Sequence, residues 1–199
     1  MTGPVILGLT GSVGMGKSTT AAMFADEGIP VWDADAAVHR LYAQGGAATV
    51  PVAALCPEAL RDGAIDRATL KRWIAEDETA LARLEAVVHP LVAQDRAGFL
   101  ARARSRGDPL VVLDIPLLFE TGAERNCDHT LVVTAPPDVQ RARVLSRQGM
   151  TGVQLDMILA RQMPDADKRA RATHVIETRT LDQTRAEVRA LIRSLSQEE

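Results

Sequence analysis

The run Gly11-Ser12-Val13-Gly14-Met15-Gly16-Lys17-Ser18 has residue types and spacing that dictate a chemistry. It fits G-x-x-x-x-G-K-[S/T] at every position. Glycines at this spacing let successive backbone N–H groups turn inward as a nest for anions. A helix starting directly behind them adds about half a positive charge at its N-terminus. Lys17 then reaches the β and γ phosphates of a nucleotide and Ser18 offers its hydroxyl to Mg²⁺, with Gly11, Val13, Gly14, Met15, Gly16 and Thr19 completing the set. Of the three lysines, Lys17, Lys71 and Lys168, one stands where the motif demands it.

Phosphate binding does not by itself name a reaction. None of the lysines lies in the Asn/Thr-Lys-x-Asp signature of guanine-specific switches, which points to ATP. Asp114 is followed by Ile115 and Pro116, so no glutamate stands ready to polarise a hydrolytic water. Phosphoryl transfer to another acceptor is the better reading. Asp33-Ala34-Asp35 supplies two acids, one of which can take the proton of an acceptor hydroxyl, while Asp114 can hold Mg²⁺ through water. Either Asp33 or Asp35 also suits the N-cap of a following helix.

Residues 140–171 carry seven basic side chains (Arg141, Arg143, Arg147, Arg161, Lys168, Arg169, Arg171) against three acidic ones in a chain whose net charge is −3. Spaced four apart, Arg143 and Arg147 share one face of a helix, and Gly149 and Gly152 follow. Such a segment reads as a lid that brings arginine onto the transferring phosphoryl group, or as a solvated basic helix.

These groups need a sheet edge to present them. Residues 5–10, 29–32, 110–114, 129–134 and 173–177 are short apolar runs of the kind buried on both faces of a parallel sheet. A helix is expected over 17–27, closed by Gly28. The spacing therefore predicts an α/β fold of the P-loop NTPase type, a five-stranded parallel sheet flanked by helices. The 199 residues, 46% hydrophobic, suit one domain with insertions. Between strands two and three, residues 36–106 break the rhythm as an all-helical insertion, in which Pro90 divides or kinks the helix over 80–106.

Composition narrows the partners. A chain of net charge −3 lacks the basic field that nucleic-acid binding needs. Asp114 and Pro116 interrupt the most apolar later stretch and no basic leader precedes it, so a cytoplasmic protein with no membrane partner is expected. Cys56 and Cys127 read as ordinary buried thiols and His129 and His174 as strand residues. Oligomeric state is not written in the pattern. Gluconate, shikimate, a nucleoside or a nucleoside monophosphate would serve equally as acceptor, and an ATP-holding regulator without turnover is the competing class.

Gly11 to Thr19, Asp33-Ala34-Asp35 with His39, His89-Pro90, Asp114-Ile115-Pro116-Leu117-Leu118-Phe119-Glu120 and the arginine-rich stretch from Gln140 to Gln162 together resemble the dephospho-CoA kinase family over nearly the whole chain. The resemblance implies transfer from ATP to the ribose 3′-hydroxyl of dephospho-CoA. It implies Asp35 as catalytic base with Asp33 beside it and Arg143 or Arg147 as the lid arginine. The helical insertion, with His39, His89 and the edge at Leu117 and Phe119, would cradle the acceptor. Thr178 departs from the pattern, since many members carry Asn near the adenine there.

Overall fold

A computed structural model describes residues 3–196. Its strands along the chain are β1 (Val5–Thr10), β2 (Val31–Asp33), β3 (Leu60–Arg61), β4 (Ala64–Ile65), β5 (Leu110–Asp114), β6 (His129–Thr134) and β7 (His174–Glu177). The helices are α1 (Lys17–Asp26), α2 (Ala34–Tyr42), α3 (Thr49–Leu55), α4 (Arg67–Glu76), α5 (Ala80–Arg106), α6 (Pro137–Leu145), α7 (Gly152–Leu159), α8 (Asp165–Arg171) and α9 (Leu181–Leu195).

Five strands form one sheet in the order β2-β5-β1-β6-β7. β1 pairs in parallel with β5 on one side and β6 on the other, and β6 pairs in parallel with β7. Every residue of β5 is buried, as are the last four of β1, so these strands read as continuous apolar runs rather than alternating ones. Leu7, Leu9, Leu110, Val112, Leu131 and Val133 meet Phe24 of α1 and Val188, Leu191 and Leu195 of α9 in one core. The 184-188-191-195 spacing of buried residues in α9 is a helical stripe turned onto the sheet. Because β1 lies between strands that come much later in the chain, its carboxyl end opens at a topological switch point, where open α/β sheets bind ligands.

The chain divides into two compact units: one runs up to Trp32 and resumes at Ala103, the other is Asp33–Arg102. The second unit has its own core of Leu41, Tyr42, Val52, Ile65, Leu70, Leu84 and Val88 among others. One sequence expectation is corrected in it. The segment is not all helical, because β3 and β4 form an antiparallel hairpin with Leu60 opposite Ile65 and Arg61 opposite Ala64. Its two-residue connection is Asp62-Gly63, with φ of 49° and 78°, the left-handed pair that an Asp-Gly turn supplies. Of the two alternatives at Pro90, a division or a kink, the helix is not divided: α5 runs from Ala80 to Arg106 with the proline inside it. A proline there costs about 3 kcal/mol. Burial of Leu84 and Val88 on the preceding turns offsets it.

In the first unit α1 ends at Asp26 and Gly28 takes φ 83°, with Ile29 N–H bonded to the Phe24 carbonyl, so the glycine closes the helix. Cys127 is only partly buried, unlike Cys56. None of the described helices is long and apolar enough to cross a membrane.

Candidate active site

The loop between β1 and α1 delivers the chain to the start of α1 through a left-handed glycine. Gly16 caps α1 with φ 91°, a value that side-chain-bearing residues rarely adopt. No side chain caps the helix and its first turn holds no acid, so neither competes with a ligand for the first-turn N–H groups. A polyphosphate fits such an end by charge and by hydrogen bonding.

Register places the acid. Pairing of β1 with β5 sets Leu9 opposite Asp114, and the Ile115 N–H then bonds to the Leu9 carbonyl at 2.9 Å. Asp114 thus ends its strand beside the start of the loop. Its Oδ1 lies 2.6 Å from Lys17 Nζ, with side-chain exposures of 2% and 16% respectively. A carboxylate so far out of water requires a charged partner, and the motif lysine supplies it. Ser18, in the first turn of α1, is exposed. Its hydroxyl and the Asp114 carboxylate are hard oxygen donors of the kind Mg²⁺ takes.

A recess of about 430 Å³ lies in the second unit, but the one beside the loop, about 350 Å³, is lined by Gly14, Gly16, Thr19, Arg143, Arg147 and Thr178 among others. The two arginines come together there, though not by sharing a helix face. α6 stops at Leu145, and Arg147 sits in the turn beyond it with its N–H on the Val144 carbonyl. Arg143 donates from one guanidinium nitrogen to Thr178 Oγ1 at 2.9 Å and from another to the Thr178 carbonyl at 2.6 Å. Thr178 is 5% exposed, and its hydroxyl lies 2.8 Å from the Met15 carbonyl. The residue that departs from the family pattern therefore joins the loop to an arginine of the recess.

The basic surplus of 140–171 is mostly spent on structure. Arg141 pairs with Asp156, Arg169 with Asp165 and Arg171 with Glu124. Lys168 is wholly buried, with Nζ 2.8 Å from Glu120 Oε1, which also accepts the Met163 N–H at 3.0 Å. Burial opposes ionisation of Glu120, but the Lys168 ammonium and the Met163 N–H outweigh it and hold the carboxyl below its ordinary range. Charge counting cannot distinguish these committed cations from Arg147, so the Glu120–Lys168 pair is invisible to it.

Among the remaining sequence candidates, Leu117 is 41% exposed, whereas Phe119 is buried with the Arg171 guanidinium 4.8 Å above its ring. Phe119 thus supports the segment from beneath, and Leu117 is the accessible member of the two. Asp33, Asp35, His39 and His89 belong to the second unit. Asp33 Oδ1 accepts the Ala36 N–H at 2.9 Å and caps α2. Asp35 lies in the first turn of α2, exposed and with no hydrogen bond or ion pair among the described residues. His39, one helical turn on, and His89 on α5 are exposed as well.

Sequence reasoning passed over two side chains that grip the loop. Gln140 Nε2 donates to the Val13 carbonyl at 2.8 Å, and Gln162 Oε1 accepts the Val13 N–H at 3.2 Å. Neutral side chains bonding to backbone leave no pattern that spacing or charge would reveal.

The sequence model of a family described as dephospho-CoA kinase matches residues 5–183. The chain is 67% identical over 189 residues to the dephospho-CoA kinase of Cereibacter sphaeroides, covering 95% of this chain and 94% of that one. It is 61% identical over 191 residues to the dephospho-CoA kinase of Jannaschia sp., covering 96% and 97%. Among solved structures, TT1252 from Thermus thermophilus superposes over the whole of both chains with a TM-score of 0.85 and 38% identity.

Proposed function

The chain belongs to the dephospho-CoA kinase family, and from that premise we propose how its side chains divide the work of phosphoryl transfer. The reaction phosphorylates the ribose 3′-hydroxyl of dephospho-CoA and yields coenzyme A, the final step of its biosynthesis. ATP is the proposed donor and leaves as ADP. One observation carries this reading: Lys17, at an uncapped helix N-terminus behind a left-handed Gly16, is paired with the buried Asp114.

In the proposed cycle the N–H groups of Gly14 and of Gly16 to Thr19 receive the phosphates, and Lys17 moves its charge from Asp114 toward the β and γ groups. Ser18 and Asp114 would hold Mg²⁺, which neutralises charge on the phosphates when bound. Asp35 takes the proton of the 3′-hydroxyl as that oxygen attacks the terminal phosphorus and the bond to the ADP oxygen breaks. Support for Asp35 over Asp33 comes from their surroundings. The Asp33 carboxylate is engaged at the α2 cap, while Asp35 is exposed and uncommitted among the described residues.

Residues 140–171 serve as the lid, where Arg147 is the arginine that closes on the transferring group and Arg143 lines the nucleotide recess. Residues 36–106 form the acceptor-binding insertion, with His39 and His89 on its exposed faces. Donor and acceptor are both soluble metabolites, which suits a cytoplasmic enzyme.

The test is ADP production from Mg-ATP with dephospho-CoA, run beside shikimate, gluconate, adenosine, AMP, CMP and a blank without acceptor. Turnover with dephospho-CoA alone is expected. Turnover confined to another acceptor would discard the substrate and keep the kinase fold.

A further inference from the structure

The lid segment is fastened to the phosphate-binding loop near both of its ends, and both fastenings land on one residue. Gln140, in α6 and 8% exposed, holds the Val13 carbonyl, while Gln162, in the turn after α7, holds the Val13 N–H. The partners are separated by 127 and 149 residues of chain, so the tertiary fold alone brings them together. Between them lies α7, which buries Leu155 but leaves Val153 70% and Met157 55% exposed. Apolar burial gives this helix little anchorage, which raises the share carried by the two amides.

The geometry of the peptide group says what these bonds control. The Val13 carbonyl belongs to the peptide plane that carries the Gly14 N–H, and in a trans peptide the two point in opposite directions. Gln140, by fixing the carbonyl, therefore aims the Gly14 N–H the other way. The Val13 N–H shares its plane with the Ser12 carbonyl, which accepts the Met15 N–H at 3.1 Å. Gln162, by taking the Val13 N–H, fixes that plane too. Directly after these two planes the backbone turns left-handed at Gly14, φ 79°.

We infer that Gln140 and Gln162 are positioning residues for phosphoryl transfer: they set the two peptide planes flanking Val13, so that shaping the loop for polyphosphate and docking the lid segment are one coupled event. This rests on the reading of Gly11 to Thr19 as the ATP phosphate site. Neither glutamine needs to touch the nucleotide, and the acceptor's affinity is not set by them.

The test uses the full chain carrying Gln140→Met, Gln162→Met or both, each replacement keeping length while removing the amide. Each single variant is expected to raise the KM for ATP about tenfold, the loss of one hydrogen bond. KM for dephospho-CoA should stay within about twofold. Because both amides act through Val13, the double variant should be no more than about twofold worse than the weaker single one. Additive losses near a hundredfold, an equal rise in both KM values, or an unchanged KM for ATP would overturn the inference. Gln162 is only partly buried, so its single variant decides the matter if Gln140→Met fails to fold. Equilibrium dialysis of ATP without acceptor reads the same change even if the acceptor proves to be another molecule.

Discussion

Lys17 Nζ stands 2.6 Å from Asp114 Oδ1, so the lysine that would meet a polyphosphate also balances a carboxylate that is 2% exposed. Lys17→Ala is therefore expected to do two things. Turnover should nearly vanish, and unfolding in urea should show a loss of about 3 kcal/mol, because the buried Asp114 carboxylate loses the counter-charge of Lys17. Lys17→Met combined with Asp114→Asn should recover most of that stability and none of the turnover. A Lys17→Ala enzyme working at the wild-type rate would remove the phosphate role.

Asp35→Asn should lower kcat by roughly 10²–10⁴ with the KM for ATP little changed, as expected when a general base is lost. Asp33→Asn should have a much smaller effect, because asparagine caps a helix about as well as aspartate. Steady-state kinetics on both variants decide the assignment, and the opposite pattern would exchange the two roles.

Arg147 and Arg143 should separate in the same assay. Arg143 is tied twice to Thr178, whereas no contact holds the Arg147 side chain among the described residues, so Arg147→Ala should fall mainly on kcat, by about 10²-fold. Thr178→Val keeps the shape but loses the hydroxyl that joins Arg143 to the loop. Its expected effect is a rise of several-fold in the KM for ATP, which Thr178→Ser should restore.

Glu120 gives the pH dependence. Its carboxyl is held below the ordinary value of 4.5, so the Lys168 pair contributes in full above that pH and is lost as pH falls through the lower, folded value. Urea midpoints measured from pH 7 down to pH 3 should show this loss in the wild type and a shallower decline in Glu120→Gln. Lys168→Met, which strands the acid, should cost about 3 kcal/mol at pH 7.

The strands β1, β5 and β6 were legible to the residue, because a strand buried on both faces must be written as an unbroken apolar run. The loop was legible for a related reason, since its left-handed Gly14 and Gly16 admit few substitutes. The Asp62-Gly63 turn carried a usable signal, but two-residue strands are too short to show an alternating period. What the pattern could not show was commitment. Seven cations in 140–171 look alike until Arg141, Lys168, Arg169 and Arg171 are found beside acids, two of them from the 120–124 segment. Gln140, Gln162 and Thr178 act through backbone groups more than 30 residues away, and no local spacing records that.

The placement of β1 between β5 and β6 also sets a timetable for the ribosome. β1 is made well ahead of residues 33–102, yet both of its hydrogen-bonding neighbours emerge only after residue 109. At about 5–20 residues per second the central strand waits for several seconds or more with both edges bare. During that interval residues 33–102, a continuous stretch with a core of their own, can collect their apolar side chains while the strand that will carry the glycine loop has nothing to pair with. The nascent chain is thus most vulnerable to misassociation before the first residues of β5 appear, and shelter by a chaperone would matter most in that window.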